Sequence, residues 1–259
     1  MEMRQLGMVA VLFAGSAMAQ VGMPPAAGLE GTPGDQVKSR EELECLVEPH
    51  IVVNVGSPVD GVLEHVTVNR GDNVRKGQVV AKLQSGVETA ALKLSLARVA
   101  FGRRKAERNE SLFEKQLISA QERDELVTEV RLHEEEVRKD EETLRLRTIV
   151  SPIDGVVVER KLSPGEFIRS DKSVVLKLAQ INPLNIEVIA PARLFGSLRV
   201  GTTGRVNLQP LLPGTHVAKV VVVDKVIDAA SGTLGVRLQL PNPGNRIPAG
   251  IKCGVTFGK

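Results

Sequence analysis

The chain contains one short segment twice, and this repeat limits what the chain can fold into. Residues 57–84 read SPVDGVLEHVTVNRGDNVRKGQVVAKLQ, and residues 151–179 read SPIDGVVVERKLSPGEFIRSDKSVVLKLA. The openings SPVDG and SPIDG match, as do the turn residues Gly71-Asp72 and Gly165-Glu166. Internal repeats are typical of folds built from one small structural unit. Two copies so far apart predict one small β unit that an inserted segment splits in half.

The segment between the two copies has helical periodicity. Ser85-Gly-Val-Glu88 and Ser119-Ala-Gln-Glu122 both match the capping-box pattern that begins a helix. Apolar residues then recur at spacings of mostly three and four, which predicts a coiled-coil seam. The seam positions are Ala90, Leu94, Ala97 and Phe101 in the first helix, and Leu126, Val130, His133, Val137 and Leu144 in the second. With only Leu117-Ile118 as a junction, residues 85–147 predict an antiparallel coiled-coil hairpin roughly 45 Å long.

The flanking regions have strand character. Residues 44–55 predict one or two strands interrupted at Pro49. Residues 180–259 alternate between apolar strands and Pro/Gly turns, which is typical of a small β-barrel. The predicted fold is therefore mainly β with an inserted α-helical hairpin. Its parts are a split β domain formed by 44–84 and 148–179, the hairpin at 85–147, and a C-terminal barrel at 180–259.

The N-terminus matches an export signal. A short apolar run at residues 6–14 is followed by the A-x-A site that ends at Ala19. The run is too short to span a bilayer as a helix. We predict a cleavable signal peptide at 1–19, a flexible linker at 20–43 and a periplasmic location. A buried N-terminal helix is the alternative interpretation.

Composition argues against several functions. Aromatic residues make up 2% of the chain, with no Trp and no Tyr, so base-stacking platforms are not expected. The net charge of +3 is small and no basic block stands out, so we expect no nucleic-acid partner. No Ser/His/Asp set, paired-carboxylate cleft or phosphate-binding glycine loop is present, and we expect no enzymatic activity and no cofactor.

Cys45 and Cys253 are the only cysteines. In an exported chain they can form a disulfide, and the alternative is two buried thiols on separate strands. Neither cysteine has a second ligand at metal-binding spacing. All five Met lie within the first 23 residues and the four His are scattered, so we predict no metal site.

These motifs resemble the periplasmic adaptor subunits, or membrane fusion proteins, of tripartite efflux pumps. The segments SPVDGVLEHVTVNRGDNVRKGQVVAKL and TIVSPIDGVVVERKLSPGEFI resemble the two halves of the family's lipoyl-like domain. The segments IAPARLFGSLRVGTTGRVNL and VIDAASGTLGVRLQLPNPGNRIPAGIKCGVTF resemble its β-barrel, with Ser231-Gly-Thr233 and Ile251 departing from the usual pattern. The resemblance implies a homo-oligomer, a hexameric ring, that joins an inner-membrane transporter to a TolC-type outer-membrane channel.

A sharper motif lies at the predicted hairpin tip. Adaptors that meet a TolC-type channel carry R-x-x-x-L-x-x-x-x-x-x-S, and Arg108, Leu112 and Ser119 match it. The resemblance implies that Arg108 donates to backbone carbonyls of the channel, Leu112 fills a groove and Ser119 offers a hydroxyl. The alternative is that Ser119 is only a helix cap, Leu112 only a seam residue and Arg108 only solvated.

Three other functions compete with an RND-type efflux adaptor. An adaptor of a type I secretion or ABC-type exporter is the nearest, but that branch has an N-terminal transmembrane helix and longer hairpins. A biotin or lipoyl carrier presents a lysine at the central turn of its β unit. In this chain the helical hairpin takes the place of that turn, so the lysine is missing. An adaptor that itself binds copper or silver lacks the Met ligands. We also expect no membrane-proximal domain after the barrel in this sequence.

Overall fold

The computed structural model describes residues 42–258. The predicted signal peptide at 1–19 and residues 20–41 of the predicted linker lie outside this range. The described range contains strands and two long helices in the order expected from the sequence. The elements are β1 (Leu43–Val55), β2 (Gly61–Val66), β3 (Asn73–Val74), β4 (Val79–Leu83), α1 (Gly86–Glu114), α2 (Ala120–Arg145), β5 (Thr148–Val150), β6 (Gly155–Arg160), β7 (Phe167–Ile168), β8 (Leu176–Pro191), β9 (Thr203–Asn207), β10 (Thr215–Val223), β11 (Thr233–Leu240) and β12 (Lys252–Phe257).

Six of these strands close into an antiparallel barrel. The strand order is β1-β12-β9-β10-β11-β8, and β8 pairs back with β1. Alternate residues along each strand point inward and form one apolar core, as closure requires. The core includes Val47, Ile186, Val206, Val220, Leu238 and Val255. The barrel thus takes β1 from outside the predicted segment 180–259, because a closed sheet needs a partner for both β8 and β12.

The two repeat copies pair with each other across a second core. Gly61 of β2 pairs with Ile168 of β7, and Val74 of β3 pairs with Gly155 of β6. Gly61 and Gly155 are equivalent positions of the two copies, as are Val74 and Ile168. Each pairing therefore has the same counterpart in the other copy, and an approximate twofold axis relates the two halves. Equivalent apolar residues are buried together, namely Leu63 with Val157 and Val74 with Ile168. The split β unit is therefore one fold assembled from both copies.

Two long strands connect the split unit to the barrel. Residues Cys45–Pro49 of β1 pair with Val188–Leu184 of β8 in the barrel. After an irregularity between Pro49 and Ile51, the same two strands continue pairing in the split unit. The predicted boundary between 179 and 180 consequently falls inside β8. Continuous strands of this kind join the two parts more firmly than a loop would.

The two helices form an antiparallel hairpin. Ion pairs cross it at Arg98–Glu136 and Lys105–Glu129, so positions ascend on α1 as they descend on α2. The predicted seam of α2 is confirmed, since its five positions are all partly buried. The predicted seam of α1 is wrong. Its four positions Ala90, Leu94, Ala97 and Phe101 are exposed.

The packed face of α1 follows a different stripe of the same spacing. It consists of Leu92, Ser95, Val99, Gly102 and Ala106. Small residues on this stripe bring the helices close, since a Cβ on Gly102 would lie 3.3 Å from Cγ2 of Val130. The two stripes are offset alternately by two residues and by one, which places them about 150° apart around the helix at 3.6 residues per turn. The prediction was wrong because it followed the larger apolar side chains, Leu94 and Phe101, which lie on the exposed face of α1.

The first predicted capping box is also wrong. Ser85 precedes α1 but makes no side-chain capping bond, because its backbone is not in the extended conformation that a cap needs. Glu88 does not reach back to Ser85 and instead binds Arg147, which follows α2 at the base of the hairpin. The second box begins α2 as predicted, with Ser119 accepting from the amide of Glu122.

Candidate partner-binding site at the hairpin tip

Arg108 and Leu112 lie on the last two turns of α1, at the end of the hairpin away from the β structure. A spacing of four places both on one face of the helix. Arg108 is exposed and forms no ion pair with any residue in the described range. Leu112 is 36% exposed. A free guanidinium therefore stands one turn from a partly exposed apolar side chain.

Ser119 faces the same end from the start of α2. Its backbone is extended, and its Oγ accepts the amide of Glu122 at 3.1 Å. A serine hydroxyl that accepts a bond still has its own proton to donate. The side chain is exposed, so its capping role leaves the hydroxyl available to a partner.

The connection between the helices is longer than the predicted two residues. It runs from Lys115 to Ser119, and Gln116 has a positive φ of 59°. The amide of Gln116 donates to the carbonyl of Phe113, and that of Leu117 donates to the carbonyl of Leu112 at 2.9 Å. These bonds satisfy carbonyls at the end of α1 and hold the turn against Leu112.

Three residues that sequence reasoning missed brace the tip from inside. Nε of Arg123 on α2 donates to Glu110 of α1 at 2.8 Å, and its guanidinium lies 5.1 Å from the ring centre of Phe113. The bond with Glu110 raises the pKa of Arg123 above its ordinary value. This bridge ties the last turn of α1 to the first turn of α2. Phe113 was the available signal, because aromatic residues are scarce in this chain.

The other end of the hairpin is locked to the split β unit by Arg147. One guanidinium nitrogen pairs with Glu88 at 2.7 Å, and the other donates to the carbonyl of Asp60 at 2.8 Å. The Arg147 and Glu88 side chains are only 22% and 13% exposed. The pair joins both helix bases to the first repeat copy. It therefore sets the direction in which the hairpin points.

Cys45 and Cys253 lie directly opposite each other on β1 and β12 and form a disulfide, with Cα atoms 4.8 Å apart. The bond links the first and last strands of the barrel, far along the chain from the hairpin. It belongs to the barrel and not to the hairpin tip.

Within residues 42–258, no group of three or more His, Cys, Asp or Glu side chains is placed to hold a metal ion. Within the same range, neither helix is apolar enough along its length to cross a membrane.

The sequence of the split unit and the hairpin matches a known domain family. Residues 51–179 match the family model of the CzcB-like barrel-sandwich hybrid domain. The cobalt-zinc-cadmium resistance protein CzcB of Cupriavidus metallidurans is 28% identical over 221 residues, covering 77% of this chain and 38% of CzcB. The efflux pump periplasmic linker BepD of Brucella suis is 26% identical, covering 76% of this chain and 57% of BepD.

A solved structure shares the fold. It is a MacA–MexA chimera that contains the α-hairpin domain of Pseudomonas aeruginosa MexA. The match has a TM-score of 0.70 at 21% identity and covers 84% of this chain and 78% of the chimera. The chain spans about half or less of the length of the first curated relatives, at 54%, 53% and 38%. The chain therefore contains a CzcB-like barrel-sandwich hybrid domain at residues 51–179 and is related to periplasmic linker proteins of efflux pumps.

Proposed function

We propose that this chain is a periplasmic adaptor that links an inner-membrane efflux transporter to a TolC-type outer-membrane channel. The tip geometry is the observation that carries the proposal. Arg108, Leu112 and Ser119 are exposed together at the free end of a hairpin whose other end is locked to the β structure. The signal sequence at 1–19 would place the chain in the periplasm, where the hairpin can reach such a channel.

Each tip residue has a separate task in this proposal. Arg108 donates several hydrogen bonds to carbonyls at a helix end of the channel, for which a planar guanidinium is suited. Leu112 enters an apolar groove between channel helices, as in other recognition of helix pairs. Ser119 adds a compact hydrogen bond from a hydroxyl that the backbone already holds in place. The bridge of Arg123 with Glu110 keeps these groups in register.

The remaining parts would support that contact. The barrel and the split unit at 44–84 and 148–179 form the base, and the chain assembles as a ring, six copies by the family resemblance. The transporter would be of the RND type, as the family resemblance implies. The alternative is an adaptor of an ABC-type exporter. Copurification of the full chain with its transporter from cell membranes distinguishes the two, because it identifies the transporter class. The chain itself would carry out no catalytic step.

Aspartate substitutions at the tip test the proposal. Arg108→Asp and Leu112→Asp are each expected to abolish in-cell cross-linking to an outer-membrane channel and to remove efflux. Arg138→Asp is the matched control, because Arg138 is an exposed arginine on α2 away from the tip. The control should keep both properties. Normal cross-linking and efflux in both tip variants would refute the docking assignment.

A further inference from the structure

Two loops emerge together at one end of the barrel. The end of β8 pairs with the start of β11, so the segment 192–202 after β8 and the loop 224–232 before β11 leave the barrel at the same end. The amide of Ala192 donates to the carbonyl of Gly232 at 2.9 Å and ties the two loops together. We refer to residues 192–202 and 224–232 as the loop end of the barrel.

The loop end exposes four apolar side chains. Val226 and Val200 are 82% and 68% exposed. Phe195 and Ile227 are 52% and 41% exposed. Leu198 of the same end is only 6% exposed and packs in the barrel core, whereas none of the four belongs to a core of the described chain. A group of exposed apolar residues of this kind marks a surface that contacts another molecule or a membrane.

Cations flank these apolar side chains. Arg193 and Arg199 lie on either side of Phe195 in the sequence, and Lys225 directly precedes Val226. All three cations are exposed. The segment 192–202 contains no acidic residue. The loop end therefore combines apolar tips with positive charge.

The two carboxylates of the loop end are held by the protein itself. Asp228 accepts the amide of Ala230 at 2.9 Å and the hydroxyl of Ser231 at 2.9 Å. The Asp224 carboxylate lies against the backbone of Gly235 on β11. Each carboxylate is thus directed at its own loop or at the neighbouring strand, and the cations remain beside the apolar tips.

The loop end points away from the hairpin. β8 runs from the split unit, where Leu176 pairs with Val55, to the loop end at Pro191. Val55 leads to Asp60, whose carbonyl accepts Arg147 at the base of the hairpin. The split unit therefore lies between the hairpin and the loop end. If the hairpin tip reaches an outer-membrane channel, the loop end faces the inner membrane.

We propose that the loop end binds the surface of an anionic phospholipid bilayer. The four apolar side chains enter the layer between headgroups and acyl chains, and the three cations pair with lipid phosphates. Apolar tips on separate loops fit this layer, because a fluid bilayer needs no pocket shaped to receive them. The cations gain from the negative potential of anionic lipids. The contact rests on the proposed adaptor function, which turns this end toward the inner membrane.

Tryptophan fluorescence tests the insertion directly. The chain contains no Trp and no Tyr, so a Trp placed at position 226 is the only strong fluorophore. The emission of Val226→Trp in the full chain should shift to the blue on addition of vesicles of phosphatidylglycerol and phosphatidylcholine. Val217→Trp is the matched control, because Val217 is 61% exposed but lies on β10 in the barrel wall. No shift at position 226, or an equal shift at position 217, would overturn the proposal.

Vesicle cosedimentation measures the contribution of the same loop to affinity. Val226→Asp/Ile227→Asp should weaken binding to these vesicles by about tenfold, because it places charge in the apolar layer. Val217→Asp should bind as wild type does. Binding should also weaken in high salt and on vesicles of phosphatidylcholine alone, since both remove the attraction of the cations. Equal binding by wild type and the double variant would contradict the proposal.

A protein partner at the loop end gives a different result. Wild-type chain that ignores vesicles, together with a double variant that no longer copurifies with a transporter, would assign the loop end to that transporter and refute the lipid contact. Failure of vesicle binding in a chain that still cross-links to an outer-membrane channel refutes this contact alone. The adaptor function fails separately, through unchanged efflux and cross-linking in Arg108→Asp and Leu112→Asp.

Discussion

Asp60 and Asp154 each accept a backbone amide from the opposite repeat copy. Oδ1 of Asp60 accepts the amide of Ser170 at 2.7 Å, and Oδ1 of Asp154 accepts the amide of Lys76 at 2.9 Å. The donors occupy equivalent positions in the two copies, as the acceptors do. Each Asp of the SPVDG and SPIDG motifs therefore holds the other copy, and neither bond exists until both copies are folded together.

The bond at Asp60 predicts a specific pH dependence. The amide of Ser170 lowers the pKa of Asp60 below its ordinary value. A lowered pKa contributes stability above the unfolded-state pKa, and that stability is lost as the pH falls through the folded-state pKa. The stability difference between wild type and Asp60→Asn should therefore be largest at neutral pH and shrink below about pH 4. Urea unfolding at several pH values from about 3 to about 7 measures this stability difference.

Glu64→Gln provides the comparison for Asp60. It removes an exposed carboxylate from β2 of the same copy, which accepts no hydrogen bond from the described residues. Its unfolding profile should follow wild type at every pH. A stability difference for Asp60→Asn that stays constant down to acid pH would contradict the role of the Asp60 carboxylate.

Gly155 predicts a steric effect at the start of β6. A Cβ at this position would lie 2.4 Å from the carbonyl oxygen of Ala179 on β8. The clash is with backbone, so the two strands must separate, and overpacking of this kind costs about 1–3 kcal/mol. Gly155→Ala should lower the free energy of unfolding by that amount, and the thermal midpoint should fall with it. Gly86→Ala at the start of α1 is the control, because a Cβ there meets nothing within 4 Å and should leave the midpoint unchanged.

Arg147 predicts a coupling between the hairpin and the split unit. Its pair with Glu88 is largely shielded from water, so Arg147→Ala should cost about 2 kcal/mol, between typical surface and buried pairs. A double-mutant cycle with Glu88→Ala isolates the interaction. Hydrogen exchange should rise at the bases of α1 and α2 and stay unchanged in the barrel.

Arg145→Ala separates this effect from the loss of any arginine. Arg145 pairs with Glu142 on the surface of α2, with its side chain 68% exposed. The expected cost is below about 1 kcal/mol. Equal destabilisation by the two substitutions would show that Arg147 has no special role at the hairpin base.

The disulfide predicts a stability difference confined to the barrel. Cys45 and Cys253 are 208 positions apart, so the bond closes a long loop in the unfolded chain. Reduction should cost about 2–4 kcal/mol and should raise hydrogen exchange at β1 and β12 first. Cys45→Ala/Cys253→Ala should lose its sensitivity to dithiothreitol. A wild-type thermal midpoint that reductant does not change would contradict the prediction.

Local signals were sufficient for much of this protein. The repeat predicted a split β unit, and the structure pairs its two copies across one core. The pattern of apolar strands and Pro/Gly turns after residue 180 predicted a β-barrel, and the structure closes β8 to β12 with β1 into one. Ser119 was identified as a cap because a capping bond joins residues three apart, and such a bond depends only on nearby sequence.

Tertiary structure decided what depends on distant partners. The face of α1 that packs was set by the close approach at Gly102 to Val130, which no spacing within α1 reveals. Glu88 bonds Arg147 and not Ser85, because the hairpin brings its two ends together. The sequence by itself determined the repeated motif and its two aspartates. Only folding decided that each aspartate binds the opposite copy, since hydrogen bonds across a pseudo-twofold join residues that no local pattern connects.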